Sequence, residues 1–219
     1  MKLVRKIGDK LFYRGGIFHP TRGLKLNWEK DFKQAIKEKQ IIVNIGAGQH
    51  HKEGTISVDP AYQHEDKEHV RAFGEHLPYA DASVDMVICG AVLEHVKEPS
   101  KIITEIHRVL KLGGRMYVDM PFLYPFHSAP SDYNRLTLEG LEYLCKDFQE
   151  IESGMSMGTH SAIAQIIVFY AQTLFANPIL SRMSKNMAKV MVSPLKYIDL
   201  WHKGSPVLAG GFYFYGEKR

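Results

Sequence analysis

Short β-branched runs alternating with stretches of helical periodicity predict an α/β protein, a mostly parallel sheet with helices on both faces. Two stretches carry that prediction. Ile41-Ile42-Val43-Asn44-Ile45 is apolar except at Asn44, as suits a strand buried on both faces, and Gly46-Ala47-Gly48 follows at once. A second strand, Thr55 to Val58, ends on Asp59-Pro60. Laid side by side and parallel, the two strands put Gly46, Gly48 and Asp59 on one sheet edge, where open α/β sheets bind ligands. Glycine there lets the chain turn and a ligand approach without a Cβ in the way. A carboxylate there can accept hydrogen bonds from both hydroxyls of a ribose. The spacing argues against a nicotinamide enzyme. His51 stands where the third glycine of Gly-x-Gly-x-x-Gly belongs, and Asp59 comes too soon for a full helix between the strands.

The remaining elements follow in order. Residues 1–26 read as a lead-in arm. Asn27 is placed to cap a helix running to about Lys39, with Trp28, Phe32, Ala35 and Ile36 on its sheet-facing side. Ala61 to His69 is polar and reads as a loop. A short third strand is expected at Val70–Phe73, and a fourth at Ser83–Cys89. Pro99 opens a helix whose apolar face is Ile102, Ile103, Ile106, Val109 and Leu110, with Gly113-Gly114 expected to stop it. Arg115–Met120 is the fifth strand. Thr137 caps a helix through Leu141 and Leu144, and Phe148–Glu152 is the sixth strand. Ser161–Ala176 is helical and apolar nearly all round, with Ser161, Gln165 and Gln172 as a thin polar stripe and Asn177-Pro178 as its end. Met187–Leu200 reads as a further helix interrupted at Pro194, and Leu208–Gly216 as a closing aromatic strand. The organisation expected is an arm and first helix over 1–40, then one domain over 41–219 with a helical insertion at about 158–203.

Bulk properties exclude little. The chain has 219 residues and a formal net charge of +4, with much of the excess before Lys39. It has only two cysteines, Cys89 and Cys145, which read as reduced core residues and suit the cytoplasm. Lys and Arg interrupt each early apolar run, so no secretory leader is expected. The histidines at 50, 51, 64, 69 and 76 match no common zinc spacing, and no metal is expected.

Three segments together resemble the class I S-adenosylmethionine-dependent methyltransferases, in the subgroup marked by a Leu-Glu-His segment. They are Asn44-Ile45-Gly46-Ala47-Gly48 with Val58-Asp59; Leu77-Pro78-Tyr79-Ala80-Asp81 continuing through Val92-Leu93-Glu94-His95-Val96; and Glu105-Ile106-His107-Arg108-Val109-Leu110 through Gly113-Gly114. The resemblance covers about residues 41 to 152. It implies a Rossmann-like three-layer αβα sandwich whose seven-stranded sheet has its last strand antiparallel. It implies S-adenosylmethionine as cofactor, with Asn44, Gly46, Ala47 and Gly48 beside its methionine part and Asp59 on the ribose. Glu75, His76 and Leu77 would lie by the adenine, and Gly90 and Ala91 would line the pocket. The chain departs from the family where an acid often stands near the adenine amino group; Phe73 occupies that position.

Acceptors enter such proteins after the fifth strand, here Pro121 to Arg135. If the acceptor is a hydroxyl, a base must take its proton. His127 is the candidate base and Asp132 its orienting partner, with Tyr133 and Arg135 for the acceptor. In the alternative reading Asp132 and Arg135 pair to shape the loop and His127 is a wall residue. Glu94 and His95 are candidate acceptor contacts or a structural pair. Loops of this Pro-Phe…His…Pro-x-Asp-Tyr-x-Arg form look like those of bacterial enzymes of cell-surface sugar or lipid-linked pathways. The expected function is therefore methylation of a small-molecule, glycan or lipid-linked acceptor, with a catalytically inactive module of the same fold as the alternative. No basic groove or Asn/Asp-Pro-Pro-Tyr/Phe tetrapeptide points to nucleic acid. Within the charge-free run from Ser153 to Ser181, the segment Ser161 to Ser181 is expected to pack as a helix over the domain or line the acceptor pocket. The competing reading is an apolar lid in peripheral contact with a membrane, helped by Arg182, Lys185 and Lys189.

Overall fold

The computed structural model describes residues 27–48, 52–61, 68–128, 130–198 and 204–219. The lead-in arm, the histidines at 50, 51 and 64 and the end of the expected insertion lie outside these residues. The strands are β1 (Ile42–Ile45), β2 (Ile56–Val58), β3 (His69–Val70), β4 (Val84–Gly90), β5 (Leu110–Pro121), β6 (Phe148–Met157) and β7 (Gly211–Lys218), in the sheet order β3-β2-β1-β4-β5-β7-β6. The first five pair in parallel, with Val43 opposite both Ile56 and Val87. Beside β5, contacts descend β7 as they climb β5: Arg115 meets Glu217, and the amide of Phe122 donates to the Gly210 carbonyl. The closing aromatic strand is thus antiparallel. Its residues Phe212 to Tyr215 are all buried, as a strand inserted between two others must be.

Helix α1 (Asn27–Lys37) buries Trp28, Phe32 and Ala35 and leaves Ile36 at the surface. Trp28 stacks on Tyr117 at 4.3 Å, and Tyr117 on Tyr213 at 5.9 Å, so one aromatic column ties the helix to the middle of the sheet. Helix α2 (Pro99–Val109) starts on Pro99 and buries Ile102, Ile103, Ile106 and Val109, the stripe its periodicity predicts. Helix α3 (Leu138–Leu144) is capped by Thr137, whose hydroxyl accepts from the Gly140 amide. Cys89 and Cys145 are free and buried.

Several boundaries differ from expectation for local reasons. Gly113-Gly114 does not end α2. The helix stops at Val109, and Leu110 already pairs with Val84. The next register pair is Met86 with Arg115, so residues 111–114 bulge out of β5. The glycines serve that bulge: Gly113 has φ +75°, and a Cβ on Gly114 would sit 2.8 Å from the Lys111 carbonyl. The third strand ends at Val70, leaving Phe73 in the open. The sixth strand is longer than expected and runs to Met157. Asn177-Pro178 opens a helix as well as following one. The Asn177 side chain accepts from the amides of Ile179 and Leu180 and caps α5 (Pro178–Val192), after α4 (Thr159–Thr173). A short α6 (Leu195–Ile198) lies beyond Pro194.

The described residues form two units. One is drawn from Lys25–Pro121, His127–Gly154 and Phe212–Arg219 and holds nearly all of the sheet; the other is drawn from Phe122–Phe126 and Met155–Gly211. Within the second, α4 is inverted relative to a solvent-facing helix. Ser161 and Gln165 of its polar stripe are fully buried, Gln172 is exposed, and Ile163, Ile167 and Tyr170 point outward. No helix among the described residues is long and apolar enough to cross a membrane.

Candidate active site

The carboxyl ends of β1, β2 and β4 border a cleft of about 950 Å³, lined by Gly46, Gly48, Asp59, Phe73 to His76, Ala91 and Val92, and at its far side by His95 and Tyr133. Its floor depends on backbone that only certain residues tolerate. Gly46 has φ +67°, and a Cβ on it would lie 2.2 Å from a methyl carbon of Val92, so side chain and backbone have closed on each other there. Gly48, at φ +55°, has nothing among the described residues within 4 Å of a Cβ position. Its amide donates to Asp59 Oδ2 at 2.8 Å, and the Ala61 amide to Oδ1 at 2.8 Å. The carboxylate is therefore fixed in orientation while each oxygen keeps further acceptor capacity. Ala91 also adopts a left-handed conformation, φ +53°, at the end of β4. Such strain in a non-glycine residue persists where surrounding bonds over-determine it.

Asp119 supplies those bonds, and sequence reasoning passed over it. It lies opposite Gly90 in the β4–β5 register, and Ala91 donates its amide to both the main-chain and the side-chain oxygen of Asp119. Its other carboxylate oxygen accepts from the Tyr117 hydroxyl at 2.7 Å. Burial raises the Asp119 pKa, against the pull of these bonds and of Lys52. The available signal was an acid near the end of the otherwise apolar Met116–Met120 run. Lys52 was missed too. Its ammonium sits 4.4 Å from the centre of Trp28 and 4.2 Å from that of Phe32, and burial lowers its pKa despite Glu29 and Asp119.

The other sequence candidates separate into lining and supporting residues. Glu75 and His76 line the cleft. Leu77 is buried, and its amide donates to Glu105 Oε1 at 2.7 Å. Arg108 clamps the same loop, donating to the carbonyls of Leu77 and Tyr79 and to Asp81 and Glu105. That clamp explains the Glu105-Ile106-His107-Arg108 segment: it holds residues 74–77 against the cleft. Asn44 lies within β1, paired on both sides, and Ala47 and Gly90 adjoin lining residues without lining the cleft themselves.

Beyond the cleft, the Leu93–His95 turn and the 127–135 loop are joined. Tyr133 donates its amide to the Glu94 carbonyl at 2.7 Å, and Asn134 donates its side chain to the carbonyls of Leu93 and Val96. His95 Nδ1 meets the Ser131 carbonyl. Asp132 is almost fully buried, pairs with Arg135 through both oxygens and accepts the His127 amide at 2.9 Å. The Arg135 guanidinium holds the Asp132 carboxyl down at about 2. Asp132 therefore shapes the loop, and it also stands 3.6 Å from His127 Nδ1. His127 Nε2 and His95 Nε2 lie 3.8 and 3.7 Å from Glu94 Oε1. Glu94 is fully buried, and neither carboxylate oxygen has a hydrogen-bond partner among the described residues. Burial lifts its pKa to about 6. One ligand atom from each of Glu94, His95 and His127 falls within 4.8 Å of the others, a spacing that also admits a cation.

Residues 53–118 match the sequence model of a family described as a methyltransferase domain. A thiol S-methyltransferase of Rattus norvegicus is 45% identical over 47 residues, 21% of this chain and 19% of that protein. A ubiquinone/menaquinone biosynthesis C-methyltransferase of Haemophilus ducreyi is 42% identical over 50 residues, 23% of this chain and 19% of that protein. The chain thus matches about a fifth of the length of these relatives. Among solved structures, a putative sarcosine dimethylglycine methyltransferase from Galdieria sulphuraria aligns with a TM-score of 0.55 at 13% identity, over 88% of this chain and 84% of that one. A methyltransferase from Methanosarcina mazei aligns with a TM-score of 0.51 at 14% identity, over 86% and 96%. At these identities the structures establish the shared fold.

Proposed function

We propose that this chain is a class I S-adenosylmethionine-dependent methyltransferase, and that it transfers the cofactor's methyl group to a hydroxyl of a small-molecule, glycan or lipid-linked acceptor. One observation carries the reading. A single cleft is lined by a ribose-ready carboxylate, Asp59, and by Tyr133 and His95, the latter one member of a half-buried Glu94-His95-His127 cluster.

The residues present fit the cofactor. A cleft of about 950 Å³ is within the range of small-molecule sites. Open space at the Gly48 Cβ position gives backbone access, and Asp59 keeps lone pairs for two hydroxyls. Phe73, exposed at the rim, offers an aromatic face for a purine. When bound, the cofactor supplies an electrophilic methyl on a sulfonium, whose departure leaves a neutral thioether. The chain's share is positioning, which can be worth roughly 7–11 kcal/mol for well-aligned reactants. Gly46, Gly48 and Asp59 fix one partner, and Tyr133 and His95 border the space for the other.

His127 Nε2 takes the acceptor's proton in this reading. Asp132 anchors the residue through its backbone amide, and the buried Glu94 carboxylate stabilises the imidazolium that forms. Arg135 acts through Asp132 by keeping it ionised. The relatives carry out S- and C-methylation by name, so short similarity does not specify the acceptor atom. The test is to incubate the protein with isotope-labelled S-adenosylmethionine and bacterial extract fractions, including lipid extracts, and weigh the products. A labelled product whose bond to the methyl survives base and acid as an ether supports the reading. Label only on carbon, nitrogen or sulfur contradicts the hydroxyl assignment, and none in any fraction contradicts transfer.

A further inference from the structure

The α4–α5 hairpin takes no part in the chemistry above, and its packing is unusual. The two helices meet through small side chains, Ala164, Val168, Ala171, Ala188 and Val192. Ser184 Oγ donates to the Ala171 carbonyl at 2.6 Å, and Ser181 Oγ to the Gln172 carbonyl at 2.7 Å. These contacts use the least apolar side of each helix. The larger apolar residues are turned away from the shared core: Ile166, Ile167 and Tyr170 on α4, and Met183, Met187 and Met191 on α5. They recur at spacings of three and four, so each helix presents a continuous stripe. Met187 is 65% exposed while Gln165 is 0% exposed, with neither end of its amide hydrogen-bonded among the described residues. A surface of this extent marks an interaction site. An apolar groove of about 570 Å³ between residues 122–125 and α4 shares Ile166 and Tyr170 with it.

Charge identifies the occupant. From Ser153 to Ile198 the sequence holds no Asp or Glu, while Arg182, Lys185 and Lys189 recur at helical spacing along α5. Burial, and second to it the neighbouring Lys185, lowers the Lys189 pKa. A second copy of the same face, joined by a two-fold axis, would set these cations against their own kind. A negatively charged bilayer surface would neutralise them. The helices have 15 residues each, short of the ~20 needed to span a bilayer, which suits helices lying in the interface plane.

We infer that the outer face of the α4–α5 hairpin docks on an anionic membrane surface, its isoleucine and methionine side chains entering the headgroup–acyl boundary and Arg182, Lys185 and Lys189 meeting lipid phosphates. Flexible methionines suit a fluid, irregular surface. The inference does not depend on the transfer reaction or its acceptor.

Flotation of the full chain with vesicles tests it, using pure phosphatidylcholine and a mixture containing about a third phosphatidylglycerol. The expected result is flotation with the mixture, weakened by salt, and little with the neutral vesicles. Lys185→Ala with Lys189→Ala should weaken binding by about fivefold per charge, hence roughly 25-fold. Ile167→Glu with Met187→Glu should abolish it while leaving S-adenosylmethionine affinity and the melting temperature unchanged. Should that second variant misfold, the lysine pair and the salt series still decide. No flotation with anionic vesicles at low salt overturns the inference. So does flotation that ignores both salt and the lysines, or a dimer in light scattering that Met187→Glu dissociates without any vesicle binding.

Discussion

The sheet's carboxyl edge and the α4–α5 hairpin obey opposite rules of burial. At the edge, half-buried carboxylates hold backbone in place: Asp59 fixes the glycine loop, Asp119 holds Ala91 in a left-handed turn, and Asp132 ties down the 127–135 loop. In the hairpin, polar groups are buried by default, because the apolar side of each helix faces out. The difference teaches that a polar stripe in a sequence gives a helix its two faces without saying which one meets solvent.

Five variants sharpen that contrast, taken from the largest expected effect to the smallest. His127→Ala should lower turnover by about 10²–10⁴-fold with S-adenosylmethionine affinity nearly unchanged, since a base acts on the acceptor side. Transfer at the wild-type rate in single-turnover assays would leave His127 a wall residue. The same assay with EDTA should show no loss; a loss restored by a divalent cation would assign Glu94, His95 and His127 to a metal instead. At the other end of the cleft, Asp59→Ala removes charge-assisted hydrogen bonds to the ribose, roughly 1.5–3 kcal/mol or about 10- to 100-fold in affinity.

Glu94 gives a pH signature of about 2 kcal/mol. Its folded pKa, about 6, lies above the ordinary 4.5, so the folded state binds more protons in that interval. Its contribution to stability is then greatest below pH ~4.5 and is lost as pH rises through about 6. Asp132 has the opposite sign: held at about 2, it stabilises above its ordinary 3.8 and loses that as pH falls. Glu94→Gln should therefore flatten the decline in chemical-denaturation stability between about pH 4.5 and 6.5, and an unaltered slope would mean that another group titrates there. The smallest effect belongs to the hairpin. Gln165→Leu removes a buried amide without hydrogen-bond partners among the described residues and should raise stability by about 1 kcal/mol, whereas Ile167→Ser on the exposed face should stay within about 0.5 kcal/mol. Thermal melts of the two would invert if the polar stripe faced solvent.

The same contrast explains what could be read in advance. Strand ends were legible because a buried strand must be apolar and must stop at a residue that turns: Ile45-Gly46, Val58-Asp59 and Cys89-Gly90 all mark the binding edge. The α2 stripe was legible because it packs on a core. Gly113-Gly114 misled because a bulge and a helix stop both need a left-handed glycine, and only register separates them. Asp119 was hidden because its role is to restrain Ala91 across a strand pair, which no local spacing reveals. His127, Asp132 and Arg135 were legible as a group, and Asp132 joins them by pairing with Arg135 and accepting the His127 amide. The hairpin's orientation had no local signal, because periodicity separates two faces without saying which one packs on the core.

The central claim is that the Gly46–Gly48–Asp59 edge holds the methyl donor. Isothermal titration of S-adenosylmethionine into the wild type and into folded Asp59→Ala tests it most directly. The account predicts one site per chain, weakened by about 10- to 100-fold in the variant. Equal affinity in both proteins, or no binding to the wild type, would contradict it.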